Sequence, residues 1–223
     1  MALTLSSHVL SDTVMTAVRT GVTSFRSANK DLQQLLLRVA QGTEGVRLPV
    51  FTPGVPDVLR GGSGLHGHKS AGWRLAAATG GAAIAADIHT LARGGPRPLQ
   101  EGTPRVACVR QGPHIARMLQ AIAALAQPAR AAQFSATPYV PYLLIMPDLY
   151  TEALWLLPQK LHLAPPVVFP YYTLIKRLRV LTPHSESEFI ARLRPTAEKW
   201  MSFPKPRFTG HESDAAYDAS SGR

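Results

Sequence analysis

Beyond Gly42 the chain keeps repeating one order: a short apolar run, a Gly- or Pro-bearing loop, then a segment with helical spacing. No other feature constrains the fold as much, because a short apolar run can bury both its faces only in a sheet that neighbouring helices cover. Residues 46–51 or 57–59 supply a first strand, RGGSGLHGHKS leads into an alanine-rich helix over 71–92, and 105–110 reads as the next strand. QGP then turns the chain into a helix over 114–126, with Ile115, Met118, Leu119, Ile122 and Leu125 on one face. The best buried strand is 139–146, a helix opens at Pro147-Asp148 and runs through Leu157, 165–169 is β-prone, and YYTLIKRL again has helical spacing. Strands alternating with helices predict an α/β fold, a mainly parallel sheet with helices on both faces joined by right-handed crossovers. Pro138 and Pro141 make the 139–146 strand an edge or delay it to Tyr142, and Gly80-Gly81 splits the alanine-rich helix. No internal repeat of fixed period is visible.

Ahead of this region Ser11 and Asp12 supply an N-cap, and Met15, Val18, Val22, Phe25, Leu32, Leu36 and Val39 alternate steps of three and four. Asn29 fills the one vacant place, so the pattern is a heptad seam with a polar residue at an a-type position. It predicts a long N-terminal helix within 1–42 that meets either a second copy or a partner helix, or its own domain. Gly21 and the Thr/Ser-rich first half weaken an isolated helix and favour the domain. An α/β core over 46–203 follows, and 204–223 has too little apolar content to pack and is expected to be a disordered tail.

Charge narrows the partners. The 223 residues carry 24 Lys and Arg against 14 Asp and Glu, a formal net charge of +10, mostly as Arg. The planar guanidinium fork pairs with phosphate and carboxylate, so nucleic acid or another acidic macromolecule is the expected partner. Biased genome composition produces Arg and Ala excess as well. Cys108 is the single cysteine, which excludes a disulfide framework within the chain and a multi-Cys zinc site. The first residues do not read as a secretory signal, and no apolar run approaches the roughly 18 residues of a membrane span. A soluble, cytoplasmic protein without a membrane partner is the expectation.

Several constellations could carry chemistry. The loop over 60–70 looks like a phosphate-cradling P-loop, with Gly62, Gly64 and Gly67 to let backbone N–H groups curl around phosphates, Lys69 to reach them, Ser70 for Mg²⁺, and Asp148 at the end of LLIMPD as a distant acid. His68, however, adds one residue before Lys69. His66 and His68 form an HxH pair and Asp87 and His89 a DxH pair, right for a first-row metal only if three or four ligands converge. Cys108, in an apolar strand ahead of Gly112-Pro113-His114, is read as a small core residue rather than a nucleophile. Arg110 in VRQG, Ser135 in FSATP, and Glu186 and Glu188 in SESEF resemble the arginine, serine and glutamate order of mono-ADP-ribosyltransferases. That resemblance implies an arginine on the dinucleotide phosphates, a serine at the nicotinamide ribose and a glutamate at the transition state. It lacks the Ser-Thr-Ser signature, and SESEF reads equally as a helix start with Ser185 as N-cap and Glu188 closing a capping box.

The C-terminal third is the last. Residues 160–207 hold nine basic side chains and three acidic ones, with Tyr171, Tyr172, Trp200 and Phe203 interleaved. Cationic grooves with aromatic platforms hold single-stranded nucleic acid. The sequence is therefore read as a binding or adaptor protein that contacts a polyanion through Lys176, Arg177 and Arg179 in one cluster and Arg192, Arg194 and Lys199 in another. A nucleotide enzyme built on the loop at 61–70 and an assembly subunit without nucleic acid are the alternatives. No cofactor or metal is called for.

Overall fold

The structure is a computed structural model that describes residues 8–24, 30–60, 65, 71–79, 82–91, 101–127, 138–160, 162 and 164–203. Two helices come first, α1 (Asp12–Ser24) and α2 (Lys30–Gln41), followed by β1 (Val46–Phe51) and the short α3 (Val55–Arg60). Three strands, β2 (Gly72–Thr79), β3 (Ala82–Leu91) and β4 (Glu101–Gln111), lead to α4 (Pro113–Leu125). Then come β5 (Tyr139–Met146), a 3-10 turn (Pro147–Leu149), β6 (Thr151–Pro158), β7 (Val167–Thr173), β8 (His184–Ser185) and α5 (Glu186–Ser202).

All eight strands join one sheet in the order β4-β3-β2-β1-β5-β6-β7-β8. Among the described residues only β1 and β5 pair in parallel, through Val50 with Leu143 and Phe51 with Leu144, and every other pairing is antiparallel. The expected parallel sheet with crossover helices is therefore wrong: the sheet is mixed and mostly antiparallel. Its order reads outward from the centre as β1 to β4 on one side and β5 to β8 on the other. Each half runs strand, helical turn, three more strands and a closing helix, an order of elements that no sequence periodicity announces.

Two segments read as helices account for the error. The described residues of the alanine-rich 71–92 form β2 and β3, paired antiparallel from Gly72 with His89 to Thr79 with Ala82. Alanine's helix preference is intrinsic and small, and it yields where tertiary pairing rewards a thin strand. Ala76, Ala83 and Ala85 face α4, while Ala77 and Ala86 face α1 and α2, so small side chains let helices approach the two strands from both sides. The second segment, 147–157, makes a single 3-10 turn before Tyr150 turns left-handed at φ 46° and the chain returns as β6. YYTLIKRL likewise completes β7 and leaves it as a loop.

The long N-terminal helix is also corrected, to the two helices α1 and α2. Val18, Val22, Leu36 and Val39 of the seam are fully buried against Leu75, Ile84 and Ile88 of their own sheet. Phe25 and Asn29 lie outside the described residues, as does the expected tail over 204–223. Gly21 marks the closest approach, since a Cβ there would sit 2.5 Å from Val106 Cγ2 of β4.

The helices divide the faces. α1 and α2 cover β2 and β3 on one face, and α3 and α5 cover β5 to β7 beside them, around Trp155, Val168 and Phe189. On the opposite face α4 is the one helix among the described residues, packed against Ala76, Ala85, Leu154 and Phe169. It packs on β2, β3 and β4 along one side and on β7 along the other, so the sheet curls around it. Its first turn ties the two walls: Gly112 N–H donates to Ala83 O at 3.3 Å, and the His114 ring meets that of Tyr172 edge-on at 4.8 Å. Among the described residues no helix is long and apolar enough to cross a membrane.

Candidate functional site

The part of the concave face that α4 leaves open is a cleft of about 610 Å³. Seven strands line it at the end where β1 and β5 finish, with Val50, Ile145 and Tyr172 among their residues, and Thr52 and Tyr150 join from the segments beside them. A concavity beyond the carboxyl ends of adjacent parallel strands is a common ligand position, and this volume is within the range of small-molecule sites.

The cleft's floor is ionic. Arg74 on β2 has a side chain only 2% exposed, and its guanidinium donates to both Asp87 oxygens, Nε to Oδ1 at 2.6 Å and Nη2 to Oδ2 at 3.0 Å. Its remaining nitrogen reaches Glu152 Oε2 of β6 at 3.2 Å. Glu152 also accepts from the Tyr171 hydroxyl and faces His114 Nε2 at 2.8 Å. Asp87 in turn pairs with Arg110 Nε at 2.9 Å and takes the Cys108 thiol at 3.5 Å. Arg110, Asp87, Arg74, Glu152 and His114 thus form a chain in which nitrogen-bearing and acidic side chains alternate.

Burial alone works against each charge here, and the neighbours reverse it. Burial raises the Asp87 carboxyl, but the hydrogen bonds and charge of Arg74, with Arg110 and Cys108 adding to them, leave it below the ordinary carboxylate range. Burial likewise lowers Arg74, yet Asp87 chiefly, then Tyr171 and Glu152, hold it above its usual value. Arg110 is raised first by its bond to Cys108 and then by Asp87. Burial pushes the Tyr171 hydroxyl well up, and the Glu152 charge adds to this. Asp87 stays ionised and Tyr171 stays protonated.

A second concavity is the open groove of about 500 Å³ between the 174–183 loop and α5, lined by Lys176, Arg177, Arg179, Glu188 and Arg192. Four of the six cations singled out in the sequence therefore come together although Arg192 belongs to a different element. Arg192 donates Nη1 to Arg177 O at 2.6 Å and Nη2 to Glu188 Oε1 at 2.6 Å, so it braces the loop. That contact first, and His184 after it, lowers the Glu188 carboxyl. Lys199, seven residues after Arg192, extends the same side of α5, whereas Arg194 is exposed on another side. Three of the four aromatic residues do not join them: Tyr171 is in the core, Tyr172 borders the cleft, and Trp200 packs on the α5 core, while Phe203 is exposed at the end of α5.

Of the other sequence candidates, Gly62, Gly64, Gly67, Lys69 and Ser70 lie outside the described residues, with His66, His68 and Ser135. What flanks the Gly-rich segment is clear: it leaves α3 and enters β2. A P-loop instead runs from a strand into a helix whose N-terminus receives phosphate. Leu65, within it, is buried beside Met146 and Leu149, and its N–H donates to Glu186 Oε1 at 3.4 Å. Asp148 is exposed in the 3-10 turn. Asp87 and His89 both border the cleft, with Asp87 committed to two guanidiniums, and no group of three potential metal ligands is assembled among the described residues. Arg110 faces α4 while Glu186 and Glu188 begin α5 on the opposite face, so the ADP-ribosyltransferase order does not converge. Cys108 is partly exposed and takes part in the ionic chain, unlike a core thiol.

Sequence reasoning missed Arg74, Glu152 and His114 as site residues. No family model, curated protein or solved structure matches the chain.

Proposed function

We propose that the protein is a binding protein that holds a polyanion, nucleic acid first, on the groove between the 174–183 loop and α5. The observation that supports this most is the gathering of Lys176, Arg177 and Arg179 around one open groove, with Arg192, also in its lining, bracing the loop. The net charge of +10 supplies long-range attraction to the same class of partner. With no aromatic residue lining it, the groove suits phosphate backbone more than stacked bases, so duplex is favoured over single strand.

Anisotropy titration with labelled duplex and single-stranded DNA and RNA tests the reading. Binding at roughly 50 mM salt should weaken steeply as salt rises, and reversing Arg177 and Arg179 to Glu should weaken it on every sequence and flatten the salt slope. Absence of binding at micromolar protein removes nucleic acid. One further observation favours a second reading, an acidic protein surface: Leu174, Val180 and Leu181 are exposed beside the same cations.

A further inference from the structure

We propose that the cleft on the α4 face is a binding site for a small monoanionic carboxylate with a planar body, and that Arg110 is the residue that recognises it.

Arg110 is the one member of the ionic chain placed to meet a ligand. Arg74 is fully enclosed, and every oxygen of Asp87 and Glu152 already accepts from, or pairs with, a neighbour. Arg110 has a side chain 57% exposed and lines the cleft. Its Nε is fixed by Asp87 at 2.9 Å and by the Cys108 sulfur at 3.3 Å, while both terminal nitrogens have no partner among the described residues. A guanidinium held through Nε presents its other two nitrogens as a fork, the geometry that matches a carboxylate bidentately. Orientation is set before the ligand arrives, which reduces the ordering cost of binding.

Charge decides between carboxylate and phosphate. The two guanidiniums of Arg74 and Arg110 are balanced by Asp87 and Glu152. A monoanion facing Arg110 is tolerated there, whereas a dianionic phosphate meets two fixed carboxylates without a matching excess of cations. The walls fit a flat apolar body. Tyr150, 62% exposed, stands at the cleft's border and Tyr172 lines the same space, whereas the Trp73 indole packs with α1 and α2 on the other face. The site is separate from the basic groove, so either can fail alone.

The test is calorimetric titration of the full chain with benzoate, benzamide and phenyl phosphate, from roughly 0.1 to 30 mM, the range expected of fragments this small. Benzoate should bind saturably and at least tenfold more tightly than benzamide, its neutral counterpart, with phenyl phosphate weaker than benzoate. Arg110→Gln should weaken benzoate at least tenfold and Arg110→Lys, which keeps the charge but loses the fork, by an intermediate factor. Arg177→Glu with Arg179→Glu should leave it unchanged. Because Arg110 is largely exposed, Arg110→Lys serves if Arg110→Gln does not fold. No saturable benzoate binding, equal binding of benzamide, tighter binding of phenyl phosphate, or an unchanged affinity in both Arg110 variants overturns the proposal.

Discussion

Arg74 on β2 and Glu152 on β6 meet at 3.2 Å although β1 and β5 lie between them in the sheet. Only a curled sheet lets these side chains reach each other, and the contact crosses the parallel pairing of β1 with β5, where few residues hold the two halves together. The pair therefore acts across the seam.

Removing one partner of a buried pair strands the other. Arg74→Met should cost about 3–5 kcal/mol, because Asp87 and Glu152 are left enclosed without their cation. In a double-mutant cycle with Glu152→Gln, measured by urea unfolding, the coupling should exceed about 0.5 kcal/mol. Strictly additive losses would mean that the two side chains do not hold the seam.

Acid should act through Asp87. Its folded carboxyl lies below the ordinary value because Arg74 and Arg110 outweigh burial, so its stabilising effect is complete above the unfolded carboxylate range near pH 4 and is lost as pH falls through the lower folded value. Wild type should lose more stability between pH 7 and about pH 3 than Asp87→Asn does, and the gap between them should narrow as acid is added. A gap that stays constant would show that the charge of Asp87 contributes nothing. Glu188 titrates in the same direction, but it is exposed and screened.

Gly21 offers a test of sign. In an isolated helix, Ala in place of Gly gains about 1 kcal/mol. Here the new methyl would press on Val106 of β4, so Gly21→Ala should destabilise, and pairing it with Val106→Ala should recover most of the loss. Calorimetric Tm values for the three variants decide it. A stabilised Gly21→Ala would place α1 farther from β4.

Ser185 caps α5, its hydroxyl oxygen accepting from Glu188 N–H at 3.2 Å. Ser185→Ala should cost about 1 kcal/mol in chemical denaturation, and Ser185→Asp should cost little, since both Ser and Asp accept from the same N–H. Equal losses would make the cap incidental.

Where the sequence was legible, local signals and burial agreed. The strands at 46–51 and 139–146, the helix after QGP and the cap at Ser185 all carry contrast between apolar and polar positions, and all stand in the structure. The β2–β3 pair carries none, because Ala76, Ala77, Ala85 and Ala86 are buried alike on both faces and a period of two disappears. Asp87, Cys108 and Arg110 were each picked out, but for metal binding, core packing and dinucleotide binding, since their true partner, Arg74, sat inside a segment read as helix. Glu152 and Tyr171 lie 78 and 97 positions beyond Arg74, and no spacing rule connects residues so far apart. The basic groove was easier, because Lys176, Arg177 and Arg179 are neighbours in the chain before they are neighbours in space.

The parallel pairing of β1 with β5 sets the order in which the chain can assemble. Each half is made of strands joined to their sequence neighbours, contacts that close small loops and form quickly. The β1–β5 ladder must instead bring Val50 to Leu143 across the whole first half. Joining the halves is then the late, entropically costly event, and the rate of folding is expected to follow that step rather than the making of any hairpin.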